Sequence, residues 1–154
     1  MPLLPSLVSP DELRDALGDE RVRVFDATVF LRRAVDGGPY IVESGRESYA
    51  RAYIPGAGFA DIPGTLSDPV SPFPFTLPAA EYFAATIGRL GVGDSSHVVA
   101  YAQDAPVWAT RLWWLLRYQD VRWCAGLQAG GEGGRTAAAV RRAGSAVRCS
   151  GAGR

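Results

Sequence analysis

The feature that most constrains the fold is the segment from His97 to Leu116, HVVAYAQDAPVWATRLWWLL. Its first five residues, 97–101, form a continuous apolar run, which is typical of a strand buried on both faces of a sheet. A six-residue loop, 102–107, follows, and the apolar pattern from Trp108 to Tyr118 predicts a helix. A strand buried on both faces needs helices on each side, so this segment predicts an α/β fold.

The chain up to residue 124 alternates predicted strands and helices in the same way. Ser9 and Glu12 have the spacing of a capping box, so a helix is predicted from Ser9 to Leu17. An alternating run at 21–25 predicts a strand that carries Asp26 at its carboxyl end. Together these patterns predict a central, mostly parallel sheet of about four or five strands with helices on both faces. The remaining predictions are helices at 46–53 and 79–90, strands at 58–62 and 122–124, and loops at 34–44 and 63–78.

The composition changes near residue 125. Eight of the last thirty residues are glycine, five are arginine, and Glu132 is the one acidic residue among them. Such a segment has too few large apolar side chains to form a core. We therefore expect one α/β domain over residues 1–124, incomplete at its C-terminal edge, and a disordered Gly/Arg/Ala-rich tail over residues 125–154.

Charge and composition exclude several classes of function. Sixteen basic residues balance sixteen acidic ones, so neither nucleic acid nor a membrane surface is an expected partner. All sixteen basic residues are arginine, which excludes a lysine Schiff-base mechanism. The N-terminus lacks a basic n-region and is interrupted by prolines, so we expect no signal peptide and a cytoplasmic location. With one histidine and two separated cysteines, we expect no disulfide framework, no metal site and no cofactor.

Four stretches in order carry a resemblance to a known family: VRVFDAT at 22–28, RESYARAYIPGAGFADI at 46–62, SDPVSPFPFTLPAAEYFAATIGRLGVGD at 67–94 and VVAYAQDAPVWATRLWWLLR at 98–117. The resemblance as a whole extends over about residues 6–128. They resemble the N-terminal rhodanese domain of two-domain thiosulfate and 3-mercaptopyruvate sulfurtransferases. The resemblance implies a rhodanese-like fold and a family function of sulfur transfer.

The resemblance also implies a division of labour between two domains. In this family the C-terminal domain carries the cysteine that takes up sulfur as a persulfide, and the N-terminal domain packs against it to help form the substrate cleft. The implied partner is therefore a second rhodanese domain, and the implied ligands of an active chain are small sulfur-containing anions. This chain is similar to the first half of such a protein.

The loop at 102–107 is the main departure from an active site of this family. A catalytic rhodanese domain has its cysteine first in this loop, directly after the strand, and the N-terminal domains typically have aspartate there; this chain has Ala102. Two further departures are Thr28, where the family has arginine, and Tyr53, where it has histidine before Ile-Pro-Gly-Ala. The match is poor after Tyr118. The loop residues are Ala102, Gln103, Asp104, Ala105, Pro106 and Val107.

Backbone amides and a helix dipole at such a loop stabilise a negative sulfur, but alanine supplies no nucleophile. We expect Asp104 to cap the following helix, with Pro106 in its first turn. We therefore expect no catalytic residue in this loop; a vestigial anion site is the alternative.

The chain has two cysteines outside the loop, and one of them is a candidate nucleophile. Cys124 is either a stand-in catalytic residue or a small buried hydrophobe at a strand end, and we favour the second interpretation. Cys149 lies in the tail, where no pocket is expected to bind a sulfur donor, and we expect it to have no function. His97 is expected at the surface.

Four residues are candidate binding residues. Asp26 either lines a site at the sheet edge or bonds local loop amides. Arg46 belongs to an anion site or to a solvated helix start, and we favour the second. Trp108 and Arg111 lie on the predicted apolar helix, whose apolar residues cover more than half of its circumference. The excess is either core or an exposed patch that docks a partner domain.

Overall fold

The computed structural model describes residues 4–121 and 124–127, together with the backbone of residues 141–142. The helices and strands alternate along most of the chain, as the sequence predicts. In chain order they are β1 (Leu7–Val8), α1 (Pro10–Ala16), β2 (Val22–Asp26), β3 (Val29–Arg32), β4 (Ile41–Ser44), α2 (Arg46–Arg51), β5 (Ala52–Tyr53), β6 (Gly58–Phe59), α3 (Ala80–Arg89), β7 (His97–Tyr101), α4 (Val107–Tyr118), β8 (Cys124–Leu127) and β9 (Arg141–Arg142).

A five-stranded parallel sheet forms the centre of the molecule, in the order β1–β8–β7–β2–β6. The predicted α/β fold with a parallel sheet is therefore confirmed. Two smaller antiparallel pairs accompany it, β3 with β4 and β5 with β9.

Strand β7 lies in the middle of this sheet, and all five of its residues are buried. Successive side chains point to opposite faces of a strand. Val98 and Ala100 accordingly join the larger apolar cluster, which α3 and α4 complete. Val99 and Tyr101 join the second cluster on the other face, where Leu13 of α1 packs. The absence of polar alternation at 97–101 thus correctly indicated a strand covered on both sides.

Helix α1 is held by the predicted capping box. The Ser9 hydroxyl accepts from the Glu12 N–H at 3.3 Å, and the Ser9 N–H donates to Glu12 Oε2 at 2.8 Å. The N–H of Ser9 and its side chain hold this carboxylate, which lowers the pKa of Glu12. Leu13 is the one residue of α1 that is fully buried. Because the cap fixes where the helix begins, it also fixes where Leu13 packs against the sheet.

The prediction of a loop over residues 34–44 is wrong at its end. Residues 41–44 form β4, which pairs with β3 as an antiparallel hairpin. The turn signals Gly37, Gly38 and Pro39 mark the hairpin connection instead. Val42 of this strand packs against the larger core cluster. The glycines and proline that precede β4 indicated a loop, so the sequence analysis missed the strand. Residues 63–78, all of them described, run without helix or strand, as predicted.

The C-terminal edge of the sheet differs from the expected domain boundary at residue 124. Strand β8 begins at Cys124 and continues to Leu127, so three residues assigned to the tail belong to the sheet. Of the strand predicted at 122–124, residues 122–123 lie outside the described part of the chain. The predicted disorder of the tail concerns residues that also lie outside it, apart from the short β9.

The longest helix among the described residues is α4, with 12 residues. None of the described helices has the length and apolar character needed to cross a bilayer.

The surface position expected for His97 is wrong. Its side chain is 4% exposed, and neither ring nitrogen has a hydrogen-bond partner within the described residues. Burial lowers the pKa of His97 from its ordinary value of 6.5. The histidine therefore enters the fold as a neutral side chain at the start of a fully buried strand.

We expect His97 to make folding stability depend on pH in the mildly acidic range. The unfolded chain takes up the proton at a higher pH than the folded protein does. Stability is therefore fully present above the ordinary pKa of 6.5 and is lost as the pH falls from there through the lowered folded pKa. Urea unfolding at about pH 7.5 and about pH 5.5 measures this loss. The His97→Leu variant is the control, and an equal loss in that variant contradicts the assignment.

Candidate functional site

The sheet order places a topological switch point between β2 and β7. The connection after β2 leads to β6 on one side, whereas the connection after β7 leads to β8 on the other side. In parallel α/β sheets a crevice forms at the carboxyl ends of two such strands, and ligands bind there. In this chain those ends carry Asp26 and the loop that begins at Ala102. The two sequence features singled out as candidates therefore meet at one place.

Asp26 is fully buried at this switch point. Its Oδ1 accepts from the Thr28 N–H at 2.9 Å and from the Thr28 hydroxyl, and its Oδ2 accepts from Gln103 Nε2 at 2.6 Å. Within the described residues, Asp26 has no basic side chain as an ion-pair partner. Asp26 thus bonds a local loop amide, as one of the two interpretations predicts. Whether it also lines a binding site stays a prediction.

Gln103 fills the crevice. Its backbone N–H donates to Thr28 Oγ1 at 2.8 Å, and its Nε2 also donates to the Ala52 carbonyl at 3.0 Å. Its Oε1 accepts from the Ser48 hydroxyl at 2.9 Å. One side chain therefore ties the loop after β7 to β2, α2 and β5.

Thr28 and Gly45 bring α2 close enough for these contacts. The Gly45 N–H donates to the Thr28 carbonyl at 2.9 Å. A Cβ atom on Gly45 would lie 2.3 Å from that oxygen, far inside contact distance. Position 45 therefore accepts only glycine if α2 is to start where Ser48 reaches Gln103.

Tyr101 lies next to this crevice, in the apolar cluster on the face of the sheet that α1 covers. It is the last residue of β7 and is 4% exposed, and its hydroxyl accepts from the Ile54 N–H at 3.3 Å. Burial raises the pKa of Tyr101 far above its ordinary value, and the neighbouring Asp26 carboxylate adds to the effect. The phenol is therefore a neutral structural group rather than an acid or a base near pH 7.

The loop itself lacks the predicted cap. Helix α4 begins at Val107 after Pro106, and in the described part of the chain no side chain caps it. The residue at the N-cap is Pro106, so the capping role predicted for Asp104, which is exposed, is wrong. Ala102 is partly buried and packs against the larger core cluster. Since successive residues alternate sides, its methyl group and the Gln103 amide lie on opposite faces of the sheet edge.

Cys124 is buried at the start of β8 and 6% exposed. Its thiol lies 3.9 Å from the Trp113 and Val121 carbonyls, and burial raises the pKa of Cys124. A raised pKa disfavours the thiolate, so the structure places Cys124 as a small buried hydrophobe. Cys149 lies outside the described residues.

The helix candidates divide between core and surface. Trp108 is 9% exposed and packs on Phe75, with ring centroids 5.1 Å apart. Arg111 donates from Nη2 to the Phe75 carbonyl at 2.7 Å, and its guanidinium lies over the Trp114 ring at 4.9 Å. Trp114 is 40% exposed and stacks on Tyr118 at 5.1 Å. The exposed part of α4 is therefore centred on Trp114 rather than on Trp108.

Arg46 lies at the start of α2, in a groove of about 440 Å³ between α2 and the β3–β4 hairpin. Its guanidinium lies 4.8 Å from the Phe59 ring, and its Nη2 lies 3.7 Å from Asp61 Oδ2. These contacts hold the side chain against β6 on a solvated surface. Whether the groove binds an anion stays a prediction.

The sequence reasoning named Asp26 and Gln103 but missed the bonds between them, and it missed Thr28, Ser48 and Gly45 as their supports. One signal was available. An Asp–X–Thr spacing after a strand allows the threonine hydroxyl and N–H to reach the same carboxylate. The contacts of Gln103 with Ser48 and Ala52 span more than fifty residues, and no local pattern in the sequence indicates them.

Sequence comparison finds relatives with named activities. The chain is 38% identical over 121 residues to a human 3-mercaptopyruvate sulfurtransferase, covering 75% of this chain and 38% of that protein. It is 34% identical over 110 residues to the Escherichia coli K12 protein of the same name, covering 71% and 37%. It is 36% identical over 118 residues to a thiosulfate sulfurtransferase of Gallus gallus, covering 73% and 38%. The chain thus spans about two fifths of the length of these relatives. No family model matches it.

Solved structures agree with the observed fold. A crystal structure from Escherichia coli, described as having the rhodanese fold of 3-mercaptopyruvate sulfotransferases, matches with a TM-score of 0.69 and 31% identity, covering 82% of this chain and 46% of that one. A yeast sulfur transferase subunit, described as sub-stoichiometric in mitochondrial complex I, matches with a TM-score of 0.69 and 28% identity, covering 81% and 39%.

We expect Gly45→Ala to destabilise the fold by about 1–3 kcal/mol, because the new methyl group overlaps the Thr28 carbonyl. Gly88→Ala is the matched control. Gly88 lies inside α3 with nothing within 4 Å of a Cβ atom, and alanine there should stabilise by about 0.5–1 kcal/mol. Urea unfolding measures both values. Equal effects at the two positions would show that α2 does not depend on this close approach.

Proposed function

Because the chain belongs to the rhodanese and 3-mercaptopyruvate sulfurtransferase family, we propose that it is a rhodanese-like domain that does not itself transfer sulfur. The observation that carries the proposal is Ala102 at the first position of the loop after β7. Sulfur transfer through a persulfide needs a thiolate at that position, and an alanine methyl group cannot attack a sulfur donor.

The surroundings of the loop support the same conclusion. Two carboxylates lie near this sheet edge, the buried Asp26 and the exposed Asp104. Negative charge close to the loop opposes a thiolate, a persulfide and an anionic donor. The Gln103 N–H, one of the amides expected to face a sulfur anion, already donates to Thr28. Cys124 is buried, and its raised pKa makes it a poor substitute.

We expect the purified chain to form thiocyanate from thiosulfate and cyanide only at the uncatalysed rate, because among the residues that the structure describes no thiol faces the loop. 3-Mercaptopyruvate serves as a second donor in the same assay. Cys124→Ala is the control variant and should change nothing. Thiocyanate formation that disappears in Cys124→Ala, together with one sulfur atom added to Cys124 by mass spectrometry, would refute the proposed inactivity.

A second candidate function is a binding domain that docks a cysteine-bearing rhodanese domain. The specific observation is the exposed aromatic pair Trp114 and Tyr118 on α4, 40% and 58% exposed, with Arg111 over the Trp114 ring. Tryptophan, tyrosine and arginine are the residue types enriched at the centres of protein interfaces. The relatives are more than twice as long as the matched segment, so their remaining length has room for another domain of this size.

We expect Trp114→Ala to weaken binding to a separately expressed cysteine-bearing rhodanese domain from the same genome by about tenfold or more. Calorimetry measures the affinity, and circular dichroism checks that the variant folds. Tyr40→Ala is the control, since Tyr40 is a 55% exposed aromatic residue on the β3–β4 connection rather than on α4. Equal binding by the wild-type chain and both variants would exclude α4 as the docking surface.

A further inference from the structure

A cavity of about 530 Å³ lies at the amino end of β7, between α3 and the C-terminal end of α4. The switch-point crevice lies at the carboxyl end of the same strand, and five strand residues span about 15 Å. None of the described residues that line the cavity belongs to that crevice. A concave space of this volume is in the range that holds small organic ligands.

The floor of the cavity is apolar. Phe83 and Ile87 of α3 and Val92, which follows that helix, are buried and line it. The partly buried Val121 completes this surface from the α4 side, and the small side chain of Ala84 does not fill the opening. An apolar or aromatic group placed here exchanges contact with water for contact with these side chains, which is favourable.

The rim of the cavity is acidic. Asp94, in the turn before β7, and Asp120, just after α4, are both exposed, and the described residues that line the cavity include no basic side chain. Neither carboxylate has an ion-pair partner within the described part of the chain. The C-terminal end of α4 adds the partial negative charge of a helix terminus. The rim therefore attracts a positive charge.

Asp120 takes the left-handed backbone conformation that ends many helices, with a φ of 61°. The Val121 N–H donates to the Leu116 carbonyl at 2.9 Å, which is the longer of the two bonds in a Schellman motif when counted along the chain. Glycine is the usual residue at the left-handed position, because a side chain is unfavourable there. Replacing Asp120 by glycine therefore removes the carboxylate without removing anything that α4 needs in order to end.

We propose that this cavity binds an amphipathic organic cation, with its apolar or aromatic body on the floor and its ammonium, amidinium or guanidinium group beside Asp94 and Asp120. The floor alone would take a neutral compound equally well, and the rim alone would attract only a hydrated ion. The two together select a ligand that carries both features. This inference goes beyond the proposed function and is independent of it, because the cavity lies at the other end of β7 from Ala102.

Three probes of nearly the same shape separate the effect of charge from the effect of shape. Benzamidine carries a phenyl ring and a cationic amidinium group, benzamide is its neutral counterpart, and benzoate is an anion. Each is titrated into the full chain and followed by NMR through the methyl groups of Ile87 and Val121. We expect benzamidine to bind with a Kd of about 1 mM, benzamide about fivefold more weakly, and benzoate not measurably.

Substitutions at the rim test the two carboxylates. The double variant Asp94→Asn with Asp120→Gly should raise the Kd of benzamidine by about tenfold and leave that of benzamide unchanged. Asp120→Gly alone should have a Tm at least as high as that of the wild-type chain, since glycine suits the left-handed position. Asp15→Asn is the matched control and should change neither Kd, because Asp15 is exposed on α1, which packs on the other face of the sheet.

The wild-type titrations decide the proposal even if a variant fails to fold. Absence of saturable binding by benzamidine, equal affinity for benzamidine and benzamide, or shifts that leave Ile87 and Val121 unaffected would each overturn it. Equal benzamidine affinity in the double variant and in Asp15→Asn would overturn the role of the two carboxylates. Sulfur transfer by the chain would refute the proposed function and leave this inference intact.

Discussion

The structure around the switch point depends on one charge, the Asp26 carboxylate buried at the end of β2. A buried carboxylate is tolerated only where donors surround it, and the donors here come from Thr28 and Gln103. Satisfying it fixes the path of two loops at once, the turn after β2 and the loop after β7. Gln103 then reaches α2 and β5, so the charge organises segments from residue 26 to residue 103.

The same constraint changes the electrostatics of the sheet edge. The fold provides a strand, a loop and a helix N-terminus, an arrangement that favours anions at other sites. In this chain the acceptors of Asp26 and Ala52 lie beside that loop, and its first residue has no reactive atom. A frame shared with sulfurtransferases thus carries the Gln103 amide on one face of the sheet edge and, on the other face, the alanine side chain of residue 102, which has no thiol.

The sequence predicts the central strands and the first helix correctly, because the patterns that indicate them involve residues close together in the chain. The apolar run at 97–101, the Ser9–Glu12 box and the strand ending at Asp26 all involve residues close in the chain, and all three are confirmed. The failures came from distant contacts. His97 is buried because its strand lies in the middle of the sheet. Strand β4 forms by pairing with β3, and Gln103 bonds Ser48, which lies fifty-five positions away in the sequence. Asp104 was assigned a cap on residue type alone, and α4 begins without it.

The outer edge of the sheet joins the two ends of the domain. Leu7 and Val8 pair in parallel with Gly126 and Leu127, so β1 finds its neighbour only in β8, the last strand of this sheet along the chain. Of the pairings in this sheet among the described residues, the β1–β8 pairing has the largest separation along the chain, and contacts of large separation form slowly. We therefore expect this edge of the sheet to form late in folding.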